Sequence, residues 1–274
     1  MNQATTRSRK KNPQLREMIL DDFAVLGVAV NAKSLDAALS QAEHEGWSHI
    51  EFLQRLLQEQ ANLRRERTIA RRIREAKFKE EKNLADFDWA FNAKAIDRTR
   101  LEELATSEFI RRHDNVCMVG QSGVGKSHLI QALGHRACAL GYKVRYTTSA
   151  ALLVDLTAGL ADQTLPKRIR YYAAFDLLII DEFGFDRIER NEAPQAANLL
   201  YKVIDARNRV RSTALVTNID FEAWGEYLGD APLAMAFLDR VVDGAIILKI
   251  HGQSYRAHRA QKAKTASETK DKPE

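Results

Sequence analysis

The chain has 274 residues, 45% hydrophobic and 29% charged, with a formal net charge of +5. That is enough for one sizeable core plus a smaller module, and ordinary for a water-soluble protein. No apolar run approaches the roughly 18 residues of a membrane-spanning helix, and two cysteines, Cys117 and Cys138, lack metal-type spacing and exclude a disulfide framework.

Residues 1–12 carry Arg7, Arg9, Lys10 and Lys11 and no acid, and are expected to form a basic flexible arm. No apolar run follows closely, so the stretch is not a secretory signal. "LREMILDDFAVLGVAV" and "SLDAALSQAEHEGW" predict two short helices; Gly46 ends the second, and Ser48 suits the N-cap of a third. That third helix begins amphipathic, with Ile50, Leu53, Leu56, Leu57 and Leu63 on one face. It then turns basic: residues 64–82 hold nine cations and four acids. Arg64, Arg65, Arg67, Arg71, Arg72, Arg74 and Lys77 are the candidates for contact with DNA phosphates, which would make binding strongly salt-dependent. A merely solvated helix face is the plainer alternative. Residues 13–82 are therefore expected to form a small helical N-terminal domain.

From residue 83 the character changes. "NLADFDWAFNAKAIDRTRLEELA" predicts a connector and a short helix. Apolar runs then follow at 116–119, 144–148, 177–180, 213–217 and 245–250, separated by helical patterns at 127–140, 150–160, 192–209 and 232–241. Strands alternating with helices predict an α/β fold with a parallel sheet covered on both faces. The polar tail, 260–274, is expected to be disordered.

"GQSGVGKS", residues 120–127, follows the first of these strands and opens a helix. It fails as a nucleophile elbow, because Val124 stands where G-x-S-x-G needs its second glycine. It satisfies G-x-x-x-x-G-K-[ST], which chance supplies on the order of one per cent of the time in such a chain. Glycines let successive N–H groups turn inward, and the helix N-terminus adds partial positive charge. Gly120, Gln121, Ser122, Gly123, Val124, Gly125, Lys126, Ser127 and His128 are thus expected to line a nucleotide. Lys126 meets the β- and γ-phosphates, and Ser127 offers its hydroxyl to Mg²⁺.

"LLIIDEFG" ends a strand in Asp181 and Glu182. Asp181 suits the hydration shell of Mg²⁺ and Glu182 a general base for the attacking water. Asn218 ends the strand "TALVTN" and suits a γ-phosphate sensor or water-positioning group; a local turn is the alternative. Arg240 ends a helix before the last strand. It suits an arginine finger acting on a neighbour's nucleotide, or simply a helix C-terminus. Arg207, Arg209 and Arg211 are rivals for the finger. His128, His135 and Cys138 share a helix face better explained by packing than by metal.

Together these motifs resemble the AAA+ type of P-loop ATPase, and more narrowly the IstB-like ATP-binding proteins, helper ATPases of insertion-sequence transposition. The resemblance covers residues 15–258 and rests on "RRIREAKF", "ADFDWAF", "VGQSGVGKSHLIQALGHRAC", "FDLLIIDEFG", "VTNIDFEAWGEYLGDAPLAMAFLDRV" and "GQSYR". It implies an ATPase domain over 83–259 with a five-stranded sheet of order 5-1-4-3-2. It also implies ATP and Mg²⁺ between subunits of a homo-oligomer on duplex DNA, recruitment or stimulation of a transposase, and a location in the bacterial cytosol. By position, Lys126, Ser127, Asp181, Glu182 and Asn218 fall on the ATP motifs and Arg240 on the finger. Too few residues follow Ile250 for a full lid, so Arg256 is expected to take part of the lid's sensor role. A DnaC-like helicase loader shares the same core and is the alternative; a small-molecule kinase is a third.

Overall fold

The computed structural model describes residues 13–184 and 195–270, with side chains to residue 262. The expectations for the basic arm, for residues 192–194 and for the last four residues lie outside the described residues. Two compact units divide between Thr68 and Ile69.

The first unit is helical: α1 (Pro13–Val25), α2 (Ala32–Glu45) and the first part of α3 (His49–Ala76). Asn31 and Ser34 cap α2 reciprocally, and Gly46, at φ 67°, ends it with its N–H on the Ala42 carbonyl. Ser48 caps α3 as expected: its hydroxyl accepts from the Glu51 amide at 3.3 Å, and the Glu51 carboxylate accepts from the Ser48 amide at 2.8 Å. The core is small, with Val30, Leu35 and Leu56 buried against Leu20, Phe23 and Phe52. On the expected apolar face of the third helix, Leu56 is buried, whereas Ile50, Leu53, Leu57 and Leu63 are exposed, Ile50 to 73%.

The second unit begins within α3, not at residue 83. Ile73, Ala76, Phe78, Leu84 and Phe87 all pack into one core of this unit, so apolar burial ties 69–82 to the sheet. Then come α4 (Arg98–Ala105), α5 (Glu108–Arg112), β1 (Val116–Gly120), α6 (Lys126–Ala139), β2 (Val144–Thr148), α7 (Ser149–Ala161), α8 (Leu165–Ala173) and β3 (Leu177–Phe183). They are followed by α9 (Ala196–Arg207), β4 (Ser212–Thr217), a 3₁₀ turn (Phe221–Ala223), α10 (Trp224–Leu228), α11 (Ala231–Val242), β5 (Ile246–Ile250) and α12 (Tyr255–Lys270). All five expected strands are present; α5, α8 and α10 are short helices beyond those expected.

The sheet is parallel, in the order β2-β3-β4-β1-β5, as the resemblance implies. Its strands alternate between two cores. Val116, Met118, Leu177 and Ile179 meet α6 on one face, while Cys117, Leu178 and Ile180 meet α7, α9 and α11 on the other. Burial on both faces is why these strands are near-continuous apolar runs. The expected disorder of the tail is corrected for residues 260–270, which continue α12. Alanine, lysine and glutamine dominate "RAQKAK", and all three favour helix.

Candidate active site

Because β3, β4 and β1 are neighbours, their C-terminal ends bring Asp181, Asn218 and the 120–127 loop to one edge of the sheet. Ligand crevices in open parallel sheets form at this edge. A cavity of about 490 Å³ lies there, large enough for a nucleotide. Its walls include the loop from Ser122 to His128, together with Asp181, Glu182 and Asn218.

The loop is held by close backbone contact. A Cβ on Gly120 would stand 2.2 Å from the Ile250 carbonyl oxygen, so β1 can lie this near β5 only with glycine. Gly125 starts α6 at φ 104°, a conformation other residues rarely adopt. Tyr255 donates its amide to the Gly123 carbonyl at 3.0 Å. Asn92 exchanges hydrogen bonds with the Gln253 backbone at 3.0 and 3.1 Å, tying the 87–92 loop to the start of α12.

Lys126 is 8% exposed. Its ammonium donates to the carbonyls of Gly120 at 2.5 Å and Gln121 at 2.8 Å. Burial pushes its pKa below the ordinary lysine value; Asp181 opposes that shift and Arg256 adds to it. A phosphate in the cavity would supply the missing counter-charge. Ser127 lies on the wall, its carbonyl accepting from the Gln131 amide at 3.0 Å. His128 also lines the cavity, but its Nε2 is 3.0 Å from the Asn83 carbonyl and its ring meets Phe87 edge-on.

Asp181 is 1% exposed; one carboxylate oxygen accepts from the Tyr146 hydroxyl at 2.9 Å and the other from the Glu182 amide at 2.8 Å. In a regular strand Asp181 and Glu182 would point to opposite faces. The pairing of β3 with β4 slips between Ile180 and Phe183, and Glu182 takes φ 60°. This bulge re-aims the side chain, so both carboxylates line the cavity. The buried carboxylate and the Ser127 hydroxyl are hard oxygen donors, a set that fits Mg²⁺ held mainly by phosphates and water. Among the described residues, no cluster of three His, Cys, Asp or Glu side chains forms a separate metal site.

Arg240 does not line this cavity. On α11, it donates to Asp205 at 3.0 Å and to Asp239 at 2.5 Å. Of its rivals, Arg207 is corrected: it is 1% exposed and spends its guanidinium on Thr213 and on the carbonyls of Tyr172, Phe175 and Ser212. It cannot reach a neighbour. Arg209 pairs with Asp243 at 3.2 Å and Arg211 with Asp176 at 3.6 Å. Of the candidates for DNA contact, Arg64, Arg65, Arg67, Arg71, Arg74 and Lys77 are exposed and Arg72 is half-buried.

The cavity wall also holds Lys79, Phe87, Phe91, Tyr146, Tyr255 and Arg259, to which no role was expected, beside the anticipated Arg256. Phe91 packs on Tyr255 and His258, with centroids 5.0 and 4.9 Å apart, and joins the connector to α12. "ADFDWAF" carries two of these aromatics in a stretch that otherwise has no regular pattern.

A family model described as IstB-like ATP binding protein matches residues 22–263. A Geobacillus stearothermophilus protein named for ATP binding in insertion sequence IS5376 is 33% identical, over 88% of this chain and 94% of its own. A Pseudomonas aeruginosa protein named in the same way for insertion sequence IS21 is 34% identical, over 90% of each chain. Among solved structures, DnaI matches with TM-score 0.52 at 18% identity, over 62% of this chain and 91% of that one. AMPPCP-bound DnaA from Aquifex aeolicus matches with TM-score 0.50 at 18% identity, over 64% and 51%. The core shares its fold with these two structures.

Proposed function

The chain belongs to the IstB-like ATP binding protein family, and from that premise we propose that it is an ATP-hydrolysing helper of insertion-sequence transposition. It assembles on duplex DNA and recruits or stimulates a separate transposase. The observation that carries this reading is the convergence of Lys126, Ser127, Asp181, Glu182 and Asn218 on one cavity. The insertion-sequence relatives favour this role over helicase loading.

ATP is the substrate. Lys126 exchanges the carbonyls of Gly120 and Gln121 for the β- and γ-phosphates, and the amides at the start of α6 complete the cradle. Ser127 and Asp181 would hold Mg²⁺, which would supply neutralising charge to the phosphates. Glu182 takes the proton of the attacking water on a carboxylate oxygen, and Asn218 orients that water or the γ-phosphate. Arg256 and Arg259 add positive charge from α12. Arg240 is absent from its own chain's cavity wall, which supports a role across a subunit boundary. ATP then joins two protomers, and its hydrolysis weakens the joint. The exposed cations between Arg64 and Lys77 track DNA phosphates.

Nucleotide-binding and turnover assays test the site. Lys126→Ala is expected to lose ATP binding and nucleotide-dependent assembly on DNA. Glu182→Gln is expected to keep ATP while turnover falls about a hundredfold or more. Unchanged ATP affinity in the first, or wild-type turnover in the second, contradicts the assignment.

A further inference from the structure

Immediately before β1, the Asn115 side chain donates its amide to the carbonyl of Arg240 at 3.1 Å and to that of Val241 at 3.2 Å, across 125 and 126 residues of chain. We propose that Asn115 is a positioning residue for the arginine finger. It caps the end of α11 and so fixes the backbone from which Arg240 reaches a neighbouring protomer's nucleotide. This rests on the reading of Arg240 as that finger.

The last carbonyls of an α-helix have no partner within it and must find one elsewhere. The chain leaves α11 extended at Asp243, with ψ 116°, and the Ala245 amide takes the Val242 carbonyl at 3.0 Å. The two carbonyls before it, on Arg240 and Val241, go to Asn115. A primary amide carries two N–H donors, which matches the two carbonyls. The rest of Asn115 is tied to the sheet. Its Oδ1 accepts from the Thr213 amide on β4 at 2.9 Å, and its own carbonyl accepts from the Ile246 amide that opens β5 at 2.9 Å. Thr213 is fixed in turn, its hydroxyl accepting from the buried Arg207 at 3.1 Å. One half-buried side chain thus joins β1, β4 and the last turn of α11.

Phe237 and Val241, both 0% exposed, seat α11 on the core. Apolar contact is non-directional, whereas the two bonds from Asn115 set where the last turn stands. A misplacement of about 1 Å at a catalytic group costs up to about a hundredfold in rate. Aspartate has the shape of asparagine but, when ionised, no donor, and it would set its charge against two carbonyls at a helix C-terminus. Neither Asn115 nor α11 lines the nucleotide cavity of its own chain, so the cap can be removed without touching that chain's phosphate loop.

The test is ATP turnover of the full chain on duplex DNA for Asn115→Asp and Asn115→Ser. Affinity for a non-hydrolysable ATP analogue is measured alongside and reports folding. The kcat is expected to fall about tenfold or more, with analogue affinity changed by less than about twofold. Mixing supplies a readout that a merely structural role would not move. Lys126→Met keeps its own Asn115 and Arg240, so its finger reaches the nucleotide held by an Asn115 variant. An equal mixture of the two should regain activity to the level reached by Lys126→Met with Arg240→Ala. The double variant Asn115→Asp, Arg240→Ala should match Arg240→Ala within about twofold. Wild-type kcat in both Asn115 variants overturns the proposal. Lost analogue affinity in both makes Asn115 a structural residue and overturns it too. If Lys126→Met restores Arg240→Ala but not the Asn115 variants, the positioning role alone fails. If it restores neither, the finger reading fails and the positioning role falls with it.

Discussion

The Tyr146 hydroxyl donates to the Asp181 carboxylate at 2.9 Å, from the middle of β2 to the end of β3. Both residues are buried, and burial with Asp181 beside it pushes the Tyr146 hydroxyl far above its ordinary value. It therefore stays a donor throughout the working pH range. One carboxylate oxygen is fixed by Tyr146 and the other by the Glu182 amide, so Asp181 is oriented before any ligand arrives.

Tyr146→Phe removes that donor and keeps the ring. A buried hydrogen bond of this kind is worth about 1 kcal/mol, and unfolding in urea should register a loss of that size. The Mg²⁺ concentration giving half-maximal turnover should rise several-fold, while ATP affinity measured without metal stays within about twofold. An unchanged Mg²⁺ dependence contradicts the orienting role.

His135 gives an acid-sensitive contact. It is half-buried, stacked on Phe78, with its Nε2 3.4 Å from the Glu80 carbonyl. Burial lowers its pKa below 6.5; the Glu80 contact and Glu81 oppose the shift without reversing it. The folded ring thus holds its proton less tightly than the unfolded one. Between the lowered value and 6.5 the unfolded chain binds more protons, so stability falls as pH drops through that window. Urea unfolding at about pH 7.5 and about pH 5.5 should show a smaller acid loss in His135→Gln than in wild type. An equal loss in both removes His135 as a source.

Arg207 is the structural arginine of its cluster. Burial pushes its pKa down to about 9, and it is held by four neutral acceptors. Arg207→Ala leaves three carbonyls without their donor and should cost about 3–5 kcal/mol in equilibrium unfolding. Arg240→Ala breaks pairs nearer the surface and should cost no more than about 1 kcal/mol. The reverse order contradicts this division of roles.

The sheet and the phosphate loop were legible in the sequence because both leave local signatures: apolar runs buried on two faces, and glycines where backbone must turn or approach closely. Asp181 and Glu182 were legible as a pair at a strand end, although the bulge that turns both into one cavity was not. Lys79 and Tyr146 left no such mark. Each reaches the site across 103 or 35 residues of chain, and only the order of strands and the bond from the Lys79 amide to the Gln131 side chain bring them there. Arg207 shows the converse. In "DARNRVR" it is indistinguishable from Arg209 and Arg211, and only the tertiary packing of α9 against β4 and the end of α8 buries it. The domain boundary misled for a related reason, since "RRIREAKF" looks like one cationic helix although Ile73, Ala76 and Phe78 belong to the sheet's core.

In the proposed mechanism one ATP is gripped by two protomers, Lys126 on one side and Arg240 on the other, and mixing Lys126→Met with Arg240→Ala on duplex DNA tests that sharing. Each variant alone should be inactive, because every shared site lacks one partner. An equal mixture should recover activity, since about a quarter of randomly formed interfaces pair an intact Lys126 with an intact Arg240. A mixture no more active than its two components, or an Arg240→Ala variant that hydrolyses ATP at the wild-type rate, contradicts the shared site.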